Sequence, residues 1–467
     1  MFRISNHYVS KIVFLLLFVE VLVVLGAAYV GAAVRMLEYG DAVAAAHFDH
    51  FFTSAVAFTA AIIFSMSAMG MYQLDYDEGL RHPFFMKLMP SFVMGFMILA
   101  LVFYVAPELY LGRGTMVLVF ALSGIGIFLA RMVFFKTSEA RFLQSRIMFL
   151  GSGPLAKECS DLATSKSRYH KYDIAGFLSA PSEELCVPSN SLLKMRDGDS
   201  LVKLARQHNV EEIVVSVQNR RGGFPIKELL DCKLQGIKVT DAATFFERET
   251  CQIRVDSLQP SWLVFGGGFD QSFVRTFMKR SFDLVCSILI LVMTFPLMLA
   301  AALAVWLEDR GPVFYSQERV GKDGKTFRVH KFRSMRADAE KNGKPQWAAQ
   351  NDPRVTRVGN FMRKTRIDEL PQILNVFTGE MSFVGPRPER PYFVEQLIEV
   401  VPYYNVRHSV KPGITGWAQV RYGYGSSAED ALQKLQYDLY YVKNNSLFLD
   451  ILILINTLKV VLFRSGR

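Results

Sequence analysis

The sequence predicts an α/β membrane protein, in which helices that cross a bilayer are joined to domains that lie outside it. Hydrophobic residues make up 51% of the 467 residues, and the mean hydropathy is +0.20, which is unusual for a protein that lives wholly in water. The apolar residues are concentrated in a few long runs, and one region between these runs alternates short apolar segments with helical ones. Membrane helices combined with folded domains account for these observations.

Four apolar runs predict an N-terminal four-helix transmembrane bundle over residues 1–140. The runs cover 12–34, 51–71, 85–106 and 114–135, each close to the ~20 residues that a helix needs to cross the hydrocarbon core. Basic residues are concentrated before the first run, between the second and third runs, and after the fourth. By the positive-inside rule, this distribution places both ends of the bundle in the cytoplasm. Those counted at the end are Arg131, Lys136, Arg141 and Arg146. Glu20 lies inside the first run, and we expect it to be paired within the bundle.

Residues 144–255 predict a Rossmann-like α/β domain, because apolar strands at 147–150, 174–178, 212–217 and 237–240 alternate with helical stretches at 155–165, 200–207 and 226–234. The first strand leads into Gly151-Ser152-Gly153, a turn of the type that can hold a pyrophosphate at a helix N-terminus. The second strand has no acid placed to bind a ribose, and Glu183 is the nearest one. Nucleotide binding and a simple tight turn both remain open.

A linker over 256–274, with Pro260 and three successive glycines at 266–268, leads to a fifth apolar stretch at 282–306. Pro296 lies near its middle, where proline breaks or kinks a helix, and basic residues flank both ends. A re-entrant helix that turns at Pro296 and leaves on the side it entered satisfies the positive-inside rule, whereas a spanning helix does not. Residues 272 and 321 should therefore both face the cytoplasm.

The last stretch, 447–463, is apolar but contains Asp450, Asn456 and Lys459, which favours an amphipathic helix on the membrane surface. The net charge of +10 suits anionic lipid headgroups and phosphate-rich substrates. No nucleic-acid-binding motif is found, so nucleic acid is not an expected partner. None of the five cysteines forms a C-x-x-C pair, which argues against a zinc site and a disulfide framework.

Three polar clusters in residues 311–446 could carry chemistry. The first, at 328–335, predicts a strand that bears Lys331 and Arg333, two side chains suited to phosphate groups. The second places Asp368 and Glu369 among three cations, Arg363, Lys364 and Arg366. Thr365 and Asp368 match a capping box, which would put both carboxylates in the first turn of a helix. Adjacent carboxylates among cations can bind Mg²⁺ or provide a nucleophile while the cations hold phosphate oxygens.

The third cluster places Arg387 between Pro386 and Pro388, with Arg390 close behind. The two prolines restrict the backbone on both sides of Arg387. A pre-set arginine is well suited to a phosphate, although a rigid loop alone would also explain the pattern.

The order of these motifs resembles the bacterial sugar transferase family. The chain reads K-F-R-S-M, then R-K-T-x-x-D-E-L-P-Q-x-x-N-V, then M-S-x-V-G-P-R-P, then K-P-G-I-T-G-W-A-Q-V at 411–420, and Y-D-L-Y-Y-V-K-N at 437–444. The resemblance covers 275–467, and the N-terminal layout is similar to long members that make undecaprenyl-diphospho-glucose or -galactose. It implies a C-terminal, mainly α catalytic domain with a re-entrant membrane helix and amphipathic surface helices.

The resemblance also implies an activity. A phosphoglycosyl transferase of this kind moves a sugar-1-phosphate from a UDP-sugar to undecaprenyl phosphate, with Mg²⁺, at the cytoplasmic face of the inner membrane. This is the first membrane step of exopolysaccharide, capsule or O-antigen synthesis. By the match, Asp368 is the nucleophile of a ping-pong reaction, and Glu369 helps to hold Mg²⁺ or positions the lipid phosphate. The family usually has Ser-Pro at the helix break, whereas this chain has Phe295-Pro296. The sugar and the oligomeric state, including a homodimer, stay open.

Two other functions are less consistent with the sequence. An NAD-dependent nucleotide-sugar dehydratase has a similar N-terminal layout, but its catalytic pair needs Tyr-x-x-x-Lys, and no tyrosine here has a lysine four residues later. A non-enzymatic scaffold would be expected to have lost the Asp-Glu pair or the arginines, and both are present.

Overall fold

A computed structural model describes residues 2–4, 7–9, 11–39, 51–72, 82–137, 144–164, 172–179, 183–195, 200–218, 224–255, 269, 272–336, 354–423, 425 and 427–463. The chain divides into two compact units, one of residues 1–2 and 8–250 and one of residues 3–7 and 251–467. Two short strands, β1 (Phe2–Ile4) and β2 (His7–Val9), open the chain. Pro260 and the glycines at 266–268 lie outside the described residues, so the linker at 256–274 stays a prediction.

The four N-terminal helices are confirmed. They are α1 (Lys11–Tyr39), α2 (Phe51–Ala68), α3 (His82–Val105) and α4 (Arg113–Thr137). Each contains a segment long and apolar enough to cross a membrane. Phe58, Ile62 and Val119 are fully buried between the helices, whereas Met97 and Val117 are exposed on the outside. Apolar side chains on both the inside and the outside are typical of helices surrounded by lipid.

A buried ion pair joins the first and fourth helices of this bundle. Arg131 Nε donates to Glu20 Oε1 at 2.5 Å, and Arg131 Nη1 donates to the Met71 carbonyl at 3.2 Å. Both side chains are shielded from solvent, which confirms that Glu20 is paired within the bundle. Arg131 lies inside α4 and pairs with Glu20. It therefore does not belong to the basic residues that flank the end of the bundle, where the sequence analysis had placed it. The side chain of Lys136 and residue Arg141 are outside the described residues.

The predicted alternation of strands and helices over 144–255 is confirmed as a parallel α/β sheet region. Its elements are β3 (Ser145–Leu150), α5 (Pro154–Thr164), β4 (Tyr172–Leu178), α6 (Leu201–Gln207), β5 (Glu212–Val215), α7 (Ile226–Leu234), β6 (Lys238–Asp241) and α8 (Ala242–Thr250). The strands form one parallel sheet in the order β4-β3-β5-β6. Successive residues of β3 point to opposite faces, so Met148 packs on the α6 and α7 side and Phe149 on the α5 and α8 side.

The second unit is mostly helical. Its elements are α9 (Phe273–Asp309), β7 (Phe314–Val320), β8 (Thr326–Phe332), α10 (Arg357–Thr365), α11 (Gln372–Thr378), β9 (Ser382–Val384), α12 (Pro391–Val400), β10 (Gly413–Thr415), α13 (Trp417–Arg421), α14 (Ala428–Asn444) and α15 (Leu447–Phe463). The hairpin of β7 and β8 is antiparallel, and β9 and β10 form a short parallel pair. These two small sheets carry much of the site described below.

Helix α9 is the long apolar helix of this unit, and it continues without interruption through Pro296. The structure therefore does not show the predicted break at this residue. A proline removes one hydrogen bond from a helix but leaves the remaining bonds able to continue it. Near its start, Asp283 accepts hydrogen bonds from the Ser382 hydroxyl and the Phe383 amide; near its end, Val305 packs in one cluster with Met362. Both halves of α9 thus contact the same folded unit.

The C-terminal helix α15 forms as predicted. Its acidic residue Asp450 does not face water, because it accepts hydrogen bonds from Lys279 at 2.6 Å and from Tyr441 at 2.7 Å. Leu449 and Ile453 are also buried, while Ile451 and Leu458 are partly exposed. The side chain of Lys459 lies outside the described residues.

Candidate active site

Asp368 and Glu369 lie on a single 3-10 turn, Ile367–Glu369, between α10 and α11. The predicted capping box is wrong. Thr365 is the last residue of α10, and its hydroxyl donates back to the carbonyls of Phe361 and Met362. Arg366 then adopts a left-handed conformation with φ of 60°, which turns the chain before the carboxylates. The two acids therefore lie in a sharp turn and not in the first turn of a capped helix.

Asp368 is buried, with 8% of its surface exposed, and its Oδ1 atom has no hydrogen-bond partner among the described residues. Burial, and after it the neighbouring Glu369 carboxylate, raise the pKa of Asp368 to about 6, although Lys331, Arg366 and Arg363 act in the opposite direction. A buried carboxylate oxygen without a partner is energetically unfavourable in the free protein. It is also available to a ligand, a metal ion or an electrophile.

Glu369 has the opposite environment. Its Oε1 atom accepts from Lys331 Nζ at 3.0 Å and from Arg387 Nη2 at 3.4 Å, and Arg366 Nη1 lies 3.9 Å away. Although burial opposes ionisation, Lys331, Arg387 and Arg366 together hold the pKa of Glu369 far below its usual range. Glu369 is therefore a permanent anion that gathers three cations. Carboxylates whose neighbours move their pKa values apart are typical of catalytic sites.

Lys331 reaches Glu369 because α11 is fastened to strand β8. Asn375 Oδ1 accepts from the His330 amide at 3.1 Å, and Asn375 Nδ2 donates to the Arg328 carbonyl at 2.7 Å. The Asn375 amide thus bonds to the edge of β8 as a neighbouring strand would. It fixes the register between β8 and the turn that carries the two acids.

The loop that carries Arg387 is held by the pairing of two of the sequence motifs. Strand β9, from the M-S-x-V-G-P-R-P motif, pairs with β10, from the K-P-G-I-T-G-W motif. Gly385 donates to the Thr415 carbonyl at 2.9 Å, and Gly413 donates to the Pro386 carbonyl at 3.0 Å. A Cβ atom on Gly385 would lie 2.3 Å from the Lys411 carbonyl oxygen, so this close approach requires glycine.

A solvent-open pocket of ≈ 270 Å³ of empty space lies beside Glu369. Cationic side chains dominate its polar lining. It is lined by Arg319, Val329, Lys331, Glu369, Gln372, Arg387, Pro388, Gly413 and Ile414. Three cations against one carboxylate give this pocket a net positive charge.

The structure brings together some of the predicted site residues and not others. Lys331, Arg366 and Arg387 meet at Glu369, and Arg363 acts electrostatically on Asp368. Arg333 is directed elsewhere: β8 ends at Phe332, and Arg333 is buried in an ion pair with Asp309 at the end of α9.

Two further predicted cations lie at the edge of the site. Lys364 is exposed on the last turn of α10. Arg390 precedes α12 and lowers the pKa of Arg319, an effect smaller than that of burial.

Two arginines of this region were missed by the sequence analysis. Arg319, on β7, lines the pocket, and burial together with Arg387 and Arg390 lowers its pKa to about 10 although Glu389 opposes this. Arg407 is buried in a 3-10 turn, Tyr404–Ser409, and donates to the Arg387 carbonyl at 3.0 Å. Neither arginine belongs to a motif that we had identified. Only Asp438, the ion-pair partner of Arg407, lies in one, the Y-D-L-Y-Y-V-K-N segment.

Comparison with known proteins defines the class. Residues 274–464 match the family described as bacterial sugar transferase. An undecaprenyl-phosphate galactose phosphotransferase of Salmonella typhimurium is 33% identical over 354 residues, 69% of each chain. A UDP-N-acetylgalactosamine-undecaprenyl-phosphate N-acetylgalactosaminephosphotransferase of Aeromonas hydrophila is 44% identical over 51% of this chain and 55% of its own length. A UDP-glucose:undecaprenyl-phosphate glucose-1-phosphate transferase of Escherichia coli is 39% identical over 55% and 54%.

The chain therefore belongs to the bacterial sugar transferase family, as its motifs indicated. The matched segments span about half the length of the Aeromonas and Escherichia relatives. The names of the three relatives specify three different sugars.

Proposed function

We propose that this protein transfers a sugar-1-phosphate from a UDP-sugar to undecaprenyl phosphate, giving undecaprenyl-diphospho-sugar and UMP. The observation that carries the proposal is the buried, unpartnered Oδ1 of Asp368 next to a pocket lined by Arg319, Lys331 and Arg387. A nucleophile beside clustered cations is suited to attack on a diphosphate, whose charge the cations stabilise. The substrates are those in the names of the relatives, and the step would start assembly of a surface polysaccharide.

The proposed reaction is ping-pong. An ionised Asp368 oxygen attacks the phosphorus bonded to the sugar, the phosphoanhydride bond breaks, and UMP leaves with the bonding electron pair. The sugar phosphate is then held on Asp368 as an acyl phosphate. A phosphate oxygen of undecaprenyl phosphate attacks the same phosphorus and releases Asp368. Lys331, Arg366 and Arg387, gathered by Glu369, bind the phosphate oxygens in both halves of the reaction.

Mg²⁺ fits this site as a proposed cofactor. In the part of the chain that the structure describes, no group of three or more His, Cys, Asp or Glu side chains could hold a metal by itself. Mg²⁺ is commonly bound by one or two carboxylates together with substrate phosphates and water. The unpartnered oxygen of Asp368 suits that role, whereas Glu369 Oε1 is already engaged by two cations. When bound, Mg²⁺ would neutralise charge on the diphosphate.

We further propose that α9 is re-entrant in the inner membrane, through a bend at Pro296 that leaves the helix on either side of it intact. Both flanks of α9 contact the same folded unit, at Ser382 near its start and at Arg333 near its end. Helix α15, which is tied to α9 through Asp450 and Lys279, would lie at the same membrane face. The pocket would then be on the cytoplasmic side, where both the nucleotide sugar and the phosphate of the lipid are accessible.

The activity is tested with the purified full-length chain, undecaprenyl phosphate, Mg²⁺ and a panel of radiolabelled UDP-sugars. We expect UMP release and a labelled lipid with at least one of UDP-glucose, UDP-galactose or UDP-N-acetylgalactosamine. Absence of labelled lipid with every donor, by a protein that is folded and membrane-inserted, would contradict the proposal.

Topology is tested by cysteine labelling in a variant without the five native cysteines. Ser272 is exposed and serves as the first labelling site. A cysteine at Gly321 would crowd the Phe327 ring, because a Cβ there would lie 3.0 Å from it. The exposed Lys325 is therefore used as the second labelling site. Single cysteines at Ser272 and Lys325 should both resist a membrane-impermeant maleimide in intact spheroplasts and react after the membrane is opened. If only the cysteine at 325 is labelled in intact cells, α9 spans the membrane and the pocket is separated from its donor.

A further inference from the structure

Arg407 is a buried arginine directly behind the Arg387 loop. Its Nη2 atom lies 2.8 Å from Asp438 Oδ2 and donates to the Arg387 carbonyl at 3.0 Å. Its Nη1 atom donates to the Tyr404 hydroxyl at 2.5 Å, and the guanidinium lies 5.0 Å from the centre of the Tyr404 ring. Arg407 and Asp438 are 6% and 2% exposed, so the ion pair is almost completely removed from water.

A second arginine holds the next carbonyl of the same loop. Arg319 Nη1 donates to the Pro388 carbonyl at 3.0 Å and lies 3.5 Å from Glu389 Oε2. Pro386 and Pro388 have no amide hydrogen, so the segment around Arg387 has two backbone donors fewer for a regular ladder. Side-chain donors take that role, and two consecutive carbonyls are fixed by two guanidinium groups. The Arg387 side chain leaves this fixed backbone and reaches Glu369 at 3.4 Å.

We propose that Arg407, held by Asp438, is a positioning residue that orients Arg387 for phosphate transfer. This inference rests on the proposed function. Removing two charges from water opposes folding, so a buried ion pair by itself is weak support for a stabilising role. Here the pair delivers a hydrogen bond to the backbone of the residue that enters the pocket. Arg407 touches neither carboxylate of the site, and its effect passes through Arg387.

A purely structural role of the Arg407–Asp438 pair and a positioning role predict different results when loss of the pair is combined with loss of Arg387. If the pair only stabilises the fold, its loss should reduce activity by the same factor whether or not Arg387 is present. If it acts through Arg387, its loss should matter only while Arg387 is present. A double-mutant cycle between Asp438→Asn and Arg387→Ala measures this difference.

Asp438→Asn is the main variant, because it removes the charge partner of Arg407 with little change in volume. Arg407→Lys keeps a charge and one donor, and Arg407→Met removes both. Glu212→Gln is the matched control, because Glu212 forms a similarly buried ion pair with Arg248 at 2.7 Å in the α/β domain. Thermal unfolding is recorded for every variant, and Asp438→Asn keeps the test valid if Arg407→Met fails to fold.

We expect Asp438→Asn to lower kcat/KM about tenfold in the wild-type background and less than about twofold in the Arg387→Ala background. Arg407→Lys should recover part of the activity that Arg407→Met loses. Any effect of Glu212→Gln should be the same with and without Arg387. Equal losses from Asp438→Asn in both backgrounds, or no loss in either, would overturn the inference.

If the wild-type chain transfers no sugar phosphate at all, the proposed function fails, and the same cycle is then measured as affinity for UDP by calorimetry. Coupling between residues 438 and 387 in UDP affinity would retain the positioning role. Additive effects on UDP affinity, or no measurable binding of UDP, would remove it.

Discussion

The glycine-rich turn after β3 and the proline-flanked loop around Arg387 both looked like phosphate-binding segments in the sequence, yet their surroundings differ. In the turn, Glu183 Oε2 accepts a hydrogen bond from the Ser152 amide at 2.8 Å, so the chain's own carboxylate takes a donor that a phosphate would use. At the Arg387 loop, three cations share the single carboxylate of Glu369. Whether a segment can bind an anion therefore depends on which hydrogen-bond donors and cations the protein's own carboxylates leave unoccupied.

The largest effect is expected from Asp368→Asn, which removes the proposed nucleophile next to the cation-rich loop. An amide cannot form the acyl phosphate, so transfer should fall by at least about a thousandfold. Radiolabelled transfer to lipid measures the loss, and Asp161→Asn, the same change on an exposed face of α5, should retain full activity. Turnover by Asp368→Asn close to that of the wild type would show that Asp368 is not the nucleophile and that the cations beside it do not serve this reaction.

The second effect concerns the cations themselves. Arg387→Ala and Lys331→Ala each remove a charge-assisted contact of about 1.5–3 kcal/mol, equivalent to a loss of about tenfold to a hundredfold in kcat/KM for the donor. Steady-state kinetics with varied UDP-sugar gives the values, and exposed Lys325→Ala is the control for a general loss of positive charge. If both site variants match the control, the cations do not bind phosphate.

A smaller and graded effect is expected from pH. Since the pKa of Asp368 is raised to about 6 and only its ionised form attacks, kcat/KM should fall about tenfold per pH unit below that value. The stability of the fold changes with pH in the opposite direction to the activity. Because the folded-state pKa exceeds the unfolded value near 4, the stabilising contribution is complete below about pH 4 and is lost as the pH rises through about 6.

Thermal unfolding tests this second half of the pH prediction. Asp368→Asn should unfold at a higher temperature than the wild type at pH 7.5, and the difference should shrink towards pH 4. A pH profile of activity that is flat from 7 to 5 would show that Asp368 is not the titrating nucleophile.

The smallest effect is expected at the glycine-rich turn. Because Glu183 already occupies the Ser152 amide, the wild-type chain should show no calorimetric binding of NAD⁺ at about millimolar concentration, the range of very weak ligands. Glu183→Gln should change transfer by less than about twofold, as should Glu184→Gln at its exposed neighbour. Tight NAD⁺ binding by the wild type would break the contrast between the two loops.

Helices and strands could be predicted where the spacing of apolar residues within the segment itself indicates them. Helix α7 begins and ends at residues 226 and 234 as predicted, because its buried residues Leu229 and Cys232 follow the helical period. The strands of the α/β domain also agree within about two residues, since each is a short apolar run bounded by polar ones. Lys331, Asp368, Glu369 and Arg387 could be selected as candidates because each lies in a motif of consecutive residues.

Features that depend on distant contacts were not predictable. The left-handed conformation of Arg366 changed a supposed capping box into a sharp turn, and no local pattern signals such a conformation at an arginine. Arg333 was grouped with Lys331 by spacing, but the strand ends between them. Arg319 and Arg407 reach the Arg387 loop from 69 and 20 residues away, through contacts that no spacing encodes.

Glu20 and Arg131 are 111 positions apart in the chain. A ribosome that adds roughly 5–20 residues per second therefore completes Arg131 about 6–20 s after Glu20. During that interval the first helix carries an acidic group whose partner has not been synthesised. An unpaired charged side chain such as aspartate at the centre of a helix opposes release into lipid by about 2.5–3.5 kcal/mol. The other residues of α1 are apolar enough to outweigh this cost, so we expect α1 to insert before α4 and to gain its ion pair only when Arg131 arrives.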